Sequence, residues 1–327
     1  MSEFHVTVVR IGEITKHPNA DSLSCTLVLG GYPVSFRTAD FSEGDLAVYV
    51  PVDSVVPNDD KRWQYLVDEK SPTRQIRIKA KRLRGIFSMG LLTANDGWSE
   101  GDDVASTLRI TRYDPPESFS TGGENEKDPG FLPVYTDIEG LRRYKTVLVQ
   151  GEQVVLTEKI HGANGRYLWR DDRLWCGSHT CIKREDDKNM WWAVAKKLDL
   201  ASKLSCHQNI AVYGEVYGQV QDLKYGLSGT ADLILFDALD TVTRKYLDYD
   251  EFLALAKDLD LKTVPELYRG PWDDSLISHS EGQTVAGDGL HVREGFVVRP
   301  TTERYDLTVG RVVLKMVGEG YHMRKQK

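Results

Sequence analysis

The sequence predicts an α+β protein in two parts: a small antiparallel β-barrel, then a larger domain of antiparallel sheets with flanking helices. Over residues 5–110, short runs rich in Val, Leu, Ile and Tyr recur between Gly, Pro, Asn and Asp, the spacing of a barrel of about five strands. After residue 130, strand-like runs alternate with two stretches, Asn189–Leu204 and Asp250–Leu261, whose apolar residues recur every three to four positions, as on one buried helix face. Between the two parts, residues 112–130 are dense in Pro, Gly, Ser and acid and lack apolar periodicity, so they read as a connector. The expected division is therefore 1–111, a linker over 112–130, and 131–327.

A chain of 327 residues, 40% hydrophobic and 28% charged, is long enough for about two domains. Its net charge of −7 argues against indiscriminate coating of nucleic acid but leaves room for a local basic groove. Cys25, Cys176, Cys181 and Cys206 lack zinc-type spacing and read as reduced thiols. There is no apolar core of a signal peptide at the N-terminus and no run of the roughly 20 apolar residues that a spanning helix needs. A cytoplasmic monomer with no membrane partner is expected.

In the first part, Val6–Ile11, Thr26–Leu29, Val34–Phe36 and Leu46–Val50 are strand candidates, and their number and spacing suggest an OB-like barrel. The turn His17-Pro18-Asn19-Ala20-Asp21 and the run Gly44–Tyr49 resemble tRNA-binding OB modules. In Arg74–Arg84, Arg77, Lys79 and Lys81 alternate with Ile76, Ile78 and Ala80; on a strand the three cations share one face, thickened by Arg74, Arg82 and Arg84. These six residues are the candidate nucleic-acid contacts.

In the second part, the apolar run Val154-Val155-Leu156 leads into Thr157-Glu158-Lys159-Ile160-His161-Gly162-Ala163-Asn164-Gly165-Arg166, so Lys159 sits where a strand meets a glycine-freed turn. An ε-amine becomes a nucleophile only on losing its proton, which burial or nearby positive charge promotes, and a phosphate is a natural electrophile for it. Downstream, Glu215 lies in a strand between Gly214 and Gly218, Phe236 near the end of another, Glu294 at a glycine kink, and Lys315 on a late strand.

In this order these residues resemble motifs I, III, IIIa, IV and V of the covalent nucleotidyltransferases, the polynucleotide ligases and mRNA-capping enzymes. The K-x-H-G form of the first motif, with Asn164 after it, resembles the nick-sealing ATP-dependent RNA ligases, and an OB-like part placed first is similar to the Deinococcus-type family. The resemblance implies an ATP-grasp-like adenylyltransferase domain, ATP and Mg²⁺ (or Mn²⁺) as cofactors, a lysyl-AMP intermediate, and nicked double-stranded RNA or an RNA/DNA hybrid as partner. It implies a catalytic set of Lys159, His161, Glu215, Glu294 and Lys315, with Glu215 and Glu294 on the metal. Glu158, Ile160, Asn164, Arg166, Phe236, Val297 and Lys315 would contact the nucleotide. Two positions depart from the family pattern: Met316 and Val317 follow Lys315 where K-x-K is common, and Ser178-His179 stands where related ligases have Ser-Arg. A GTP-using capping-type enzyme and a non-catalytic RNA-binding protein are the alternatives from other classes.

Overall fold

The run Leu46–Val50 is apolar at every position because it is covered on both faces. In a computed structural model, which describes residues 4–29, 31–67, 75–113, 124–287 and 291–324, it is the middle strand of an antiparallel sheet between Thr7–Arg10 and Leu91–Ala94. Val48 and Val50 join one core with Val6, Trp63 and Ile110; Ala47 and Tyr49 join another with Val9, Val34 and Phe36. Leu23–Val28 and Tyr32–Arg37 form a hairpin that supplies the second core. This is the expected OB-like part.

The turn at His17 braces its neighbour. The His17 ring bonds the Leu83 carbonyl oxygen (2.9 Å) and accepts from the Asn19 N–H (3.1 Å), while the Asn19 amide donates to the Arg84 carbonyl (3.0 Å). The braced element is the Lys81–Leu83/Ile86–Ser88 hairpin. The basic segment is thus not one strand: Ile76–Arg77 pairs with Ser54–Val56, and Lys81–Leu83 belongs to the separate hairpin.

The chain divides into two compact units, Met1–Pro115 with Leu141–Lys145, and Pro116–Gly140 with Thr146–Lys327. Within the stretch expected as a connector, residues 114–123 lie outside the described residues. Asn125–Glu126 is an edge strand paired with Ile182–Lys183, so this part of the stretch is sheet and not linker.

The second unit is built on two sheets. One runs in the order Asn125–Glu126, Ile182–Lys183, Arg173–Gly177, Ala163–Arg170, Ile210–Gly218, Ala231–Asp240, Lys245–Tyr246; the other in the order Glu139–Gly140, Leu314–Val317, Gly295–Pro300, Gln153–Glu158, Glu266–Pro271. All pairings are antiparallel except that of Glu139–Gly140 with Leu314–Val317. The helical stretch expected over Asn189–Leu204 is two helices, Met190–Lys197 and Leu200–Ser205, because Asp199 takes a left-handed backbone (φ 51°) that no helix can pass through. Asn189 caps the first, accepting from the Trp191 N–H at 3.0 Å. Trp191, Trp192, Leu200 and Leu204 share a core with Val155, Val212, Val216 and Leu235. The Tyr249–Asp258 helix buries Phe252 and Ala256 on the same core. Lys159 lies between the Gln153–Glu158 strand of one sheet and the Ala163–Arg170 strand of the other, where the chain crosses between sheets.

Candidate active site

Strand register decides which side chains meet. Thr157 lies opposite Val297, and Val297 opposite Lys315, so these three share one sheet face, on which Lys159 follows Thr157 at period two. On the other sheet Asn164 lies opposite Glu215. The two faces bound a pocket lined by Thr157, Glu158, Lys159, Ile160, Asn164, Glu215, Phe236 and Val297, together with Tyr135, Tyr249, Val264 and Arg299. Phe236 reaches it at a β-bulge. Tyr213 pairs with Asp237 and Gly214 with Leu235, so Phe236 is the extra residue; its ring stays with Ile234, and the bulge turns Ala238 to the opposite core.

The Lys159 amine donates to Glu294 Oε1 at 2.6 Å. Burial alone would push this amine's pKa down, but the Glu294 and Glu215 carboxylates outweigh it and the net shift is upward. The protein on its own therefore favours protonated Lys159, contrary to the depressed pKa that a nucleophilic amine calls for. Burial pushes Glu215 up to about 8, against the attraction of Lys159. Gly162 has to be glycine here, since a Cβ would lie 2.3 Å from the Val216 carbonyl oxygen and 2.9 Å from Glu215 Cγ. Gly295 likewise keeps the Glu294 turn against the Met316 carbonyl, which a Cβ would approach to 1.9 Å.

His161 stands beside this cluster, its Nδ1 3.7 Å from Glu294 Oε2 and 2.9 Å from the Tyr321 hydroxyl, and its Nε2 2.7 Å from Asp222 Oδ1. Burial lowers its pKa despite the two carboxylates. Beneath Phe236 lies a buried ionic network: Asp237 accepts from Arg299 (2.7 Å) and the Tyr135 hydroxyl (2.7 Å) and pairs with Arg311 (2.7 Å), which also holds Glu303 (2.6 Å). Burial would raise the Asp237 pKa, but the two guanidiniums hold it below the usual carboxylate range.

The structure brings together Lys159, Glu215, Glu294, His161, Asn164, Ile160, Phe236 and Val297, with Lys315 beside Val297. It takes Arg166 away. That side chain is fully buried farther along the strand face that carries Asn164, donating to the Ser178 carbonyl at 2.9 Å and to the Leu132 carbonyl, so it holds strands together and does not line the pocket. The Glu158 side chain also turns inward, accepting from the Thr284 hydroxyl and from the Val285 and Ala286 N–H groups (2.8 and 3.2 Å), which leaves only its backbone for a ligand. Arg77 is paired with Asp53 (2.7 Å) and sits over the Tyr113 ring (3.8 Å), so its guanidinium is already engaged within the protein. Lys79, Lys81, Arg82 and Arg84 are exposed, and Arg74 lies outside the described residues. Sequence reading missed Asp222, Tyr321, Arg324 and the Asp237 network: Asp222 sits in a loop without periodicity and Tyr321 among the last seven residues, and each acquires its partner only by folding.

A family model described as RNA ligase matches residues 152–317, just over half of the chain, and one described as an OB-fold domain matches residues 5–94. No curated protein matches the chain. Among solved structures, it is similar to a lysine-to-alanine mutant of Naegleria gruberi RNA ligase with ATP and Mn, at TM-score 0.84 and 25% identity over 98% of each chain. The same ligase with PPi matches at TM-score 0.84 and 26% identity over 97% of this chain and 97% of that one. A glutamate-to-alanine mutant with AMP and Mn matches at TM-score 0.84 and 26% identity, again over 97% of each. With the lysine, the two carboxylates and the aromatic pocket all inside the matched region, the chain belongs to the RNA ligase family.

Proposed function

We propose that the protein is an ATP-dependent RNA ligase that seals 3′-hydroxyl/5′-phosphate nicks in duplex RNA or RNA/DNA hybrids through a lysyl-AMP intermediate, with the Deinococcus-type order of an OB module (1–111) before the adenylyltransferase domain (131–327). The observation that carries this reading is the Lys159 amine, 2.6 Å from Glu294 at the neck of a pocket walled by Phe236 and Val297. The purine would lie between that ring and that isopropyl group, a shape any base face fits, and the backbone at Glu158 would meet its edge. Ile160 fills the space beside the base; Asn164 and Lys315 face the phosphates.

The residues also fit a divalent cation. Glu294 Oε2 and Asn164 Oδ1 are buried oxygens with no hydrogen-bond donor, and Glu215 titrates far above its ordinary range. Among the described residues no three or more His, Cys, Asp or Glu are grouped to hold an ion alone, so Glu215 and Glu294 would share it with water and substrate phosphate, as hydrated Mg²⁺ prefers. Once bound, the ion would neutralise the carboxylates that raise the Lys159 pKa and favour the free amine.

Lys159 Nζ then attacks the α-phosphorus of ATP: a P–N bond forms, the bond to the bridging oxygen breaks, and pyrophosphate leaves. AMP passes from Lys159 to the strand's 5′-phosphate, and the 3′-hydroxyl displaces it to form the phosphodiester. Incubation of the full chain with α-labelled ATP and Mg²⁺ or Mn²⁺ tests the reading. Label is expected on Lys159 and lost in a Lys159→Ala protein of unchanged circular dichroism; label mapped to another lysine would overturn it.

A further inference from the structure

The Glu319–Met323 helix near the chain's end is fastened at three points around the catalytic lysine's neighbours. The Gly318 N–H donates to the Glu294 backbone carbonyl at 2.9 Å; the N–H groups of Glu319 and Gly320 donate to the Glu281 carboxylate at 2.6 and 3.1 Å; and Arg324 donates to both oxygens of Asp222 at 3.2 Å while lying 3.6 Å over the Tyr321 ring. Between these fastenings the Tyr321 hydroxyl meets His161 Nδ1 at 2.9 Å, and Asp222 meets Nε2 at 2.7 Å from the opposite side. A carboxylate engaged by a guanidinium accepts and does not donate, so the proton on His161 belongs to Nε2, and Nδ1 accepts from the tyrosine.

We propose that Tyr321 and Asp222 are positioning residues for nucleotidyl transfer, holding the His161 ring with its Nε2–H on Asp222 and its Nδ1 accepting from Tyr321. The geometry gives the reason. Nδ1 lies 3.7 Å from Glu294 Oε2, the carboxylate on which the Lys159 amine rests. A ring free to rotate or change tautomer would turn an N–H toward that oxygen, which otherwise has no donor, and tie up the second oxygen of Glu294; clamped from both sides, it presents a lone pair already engaged by Tyr321. The catalytic consequence rests on the ligase reading above, whereas the tautomer does not.

Two measurements on the full-length protein test this. Nitrogen-15 histidine ring spectra, with His161 identified by its loss in His161→Gln, are expected to show the Nε2–H form in the wild type and a mixture in Tyr321→Phe; an Nδ1–H ring in the wild type would overturn the proposal. In single-turnover lysyl-AMP formation, Tyr321→Phe is expected to lower the rate at saturating ATP about tenfold, with the ATP concentration for half-maximal rate within about twofold of wild type, as for loss of one hydrogen bond that orients a catalytic group. Asp222→Asn, which can still accept from Nε2, is expected to lose less than Asp222→Ala. In a His161→Ala background Tyr321→Phe should cost nothing further, because the two act as a unit. An equal loss in that background would show that Tyr321 serves the fold alone and would overturn the proposal. A wild-type protein that never forms lysyl-AMP would instead overturn the ligase reading, and the ring spectra would still decide the tautomer.

Discussion

Lys159 and Glu215 each rest in the protonation state opposite to the one the proposed reaction would use, and a single electrostatic fact accounts for both. Two carboxylates and one amine share a desolvated space, so the amine keeps its proton while Glu215 is pushed up to about 8. A carboxyl whose pKa is raised on folding binds its proton more tightly in the native state. Its contribution is favourable below the unfolded value of about 4.5 and is lost as pH rises through about 8. Glu215→Gln removes that loss. In divalent-free buffer the variant's Tm should match wild type near pH 4 and exceed it increasingly up to pH 8, by about 2 °C or more. A Tm difference that does not change with pH would contradict the assignment. Saturating Mg²⁺ and ATP should shrink the difference, since binding to the native wild type adds stability the variant lacks.

At the scale of elements, an irregularity sets what surrounds the pocket's aromatic ring. In a strand of strict period two, Phe236 would share a face with Ile234 and Ala238; the bulge opposite Tyr213–Gly214 breaks the alternation. The ring is then held edge-on to Tyr135 at 4.9 Å, and Tyr135 is fixed by Asp237. Phe236→Ala is expected to raise the KM for ATP about tenfold while changing kcat less, because stacking on a base, worth about 1–3 kcal/mol, is made in ground and transition states alike. Steady-state sealing at varied ATP measures this, and an unchanged KM would remove Phe236 from the base pocket. The His17 turn is a second element whose partners only folding shows, its ring and the Asn19 amide bonding the carbonyls of the Lys81–Ser88 hairpin.

For the whole molecule, the prediction separates the two units. All the residues proposed for lysyl-AMP formation lie in the second, and its sheet begins with Asn125–Glu126. A fragment of residues 116–327 is expected to form lysyl-AMP but to transfer AMP to a nick poorly, since the exposed cations Lys79, Lys81, Arg82 and Arg84 are in the part removed. In the full chain, neutralising Lys79, Lys81 and Arg82 should each flatten the log–log salt dependence of duplex binding by about one unit, whereas neutralising Arg77, already paired with Asp53, should leave the slope alone and lower stability. Full-rate nick sealing by the fragment would show that the first unit is not the duplex clamp.

The sequence by itself determined the order of the parts and the OB-like first unit, and it marked Lys159, Glu215, Phe236, Glu294 and Lys315 as candidates, because each stands in a short apolar strand or beside a glycine and their order resembles that of a known motif set. These signals are local. The sequence could not tell that Arg166 and Glu158 turn inward, that Arg77 is tied to Asp53, or that Asp199 breaks a helix, because periodicity gives a face and not the partner across it. Nor could it find Asp222 and Tyr321, which stand 61 and 160 residues from the histidine they hold. Partners that far apart in the chain meet only once two sheets and the Glu319–Met323 helix have packed, and it is likewise the packing of the two sheets that sets Glu294 and Glu215 against Lys159.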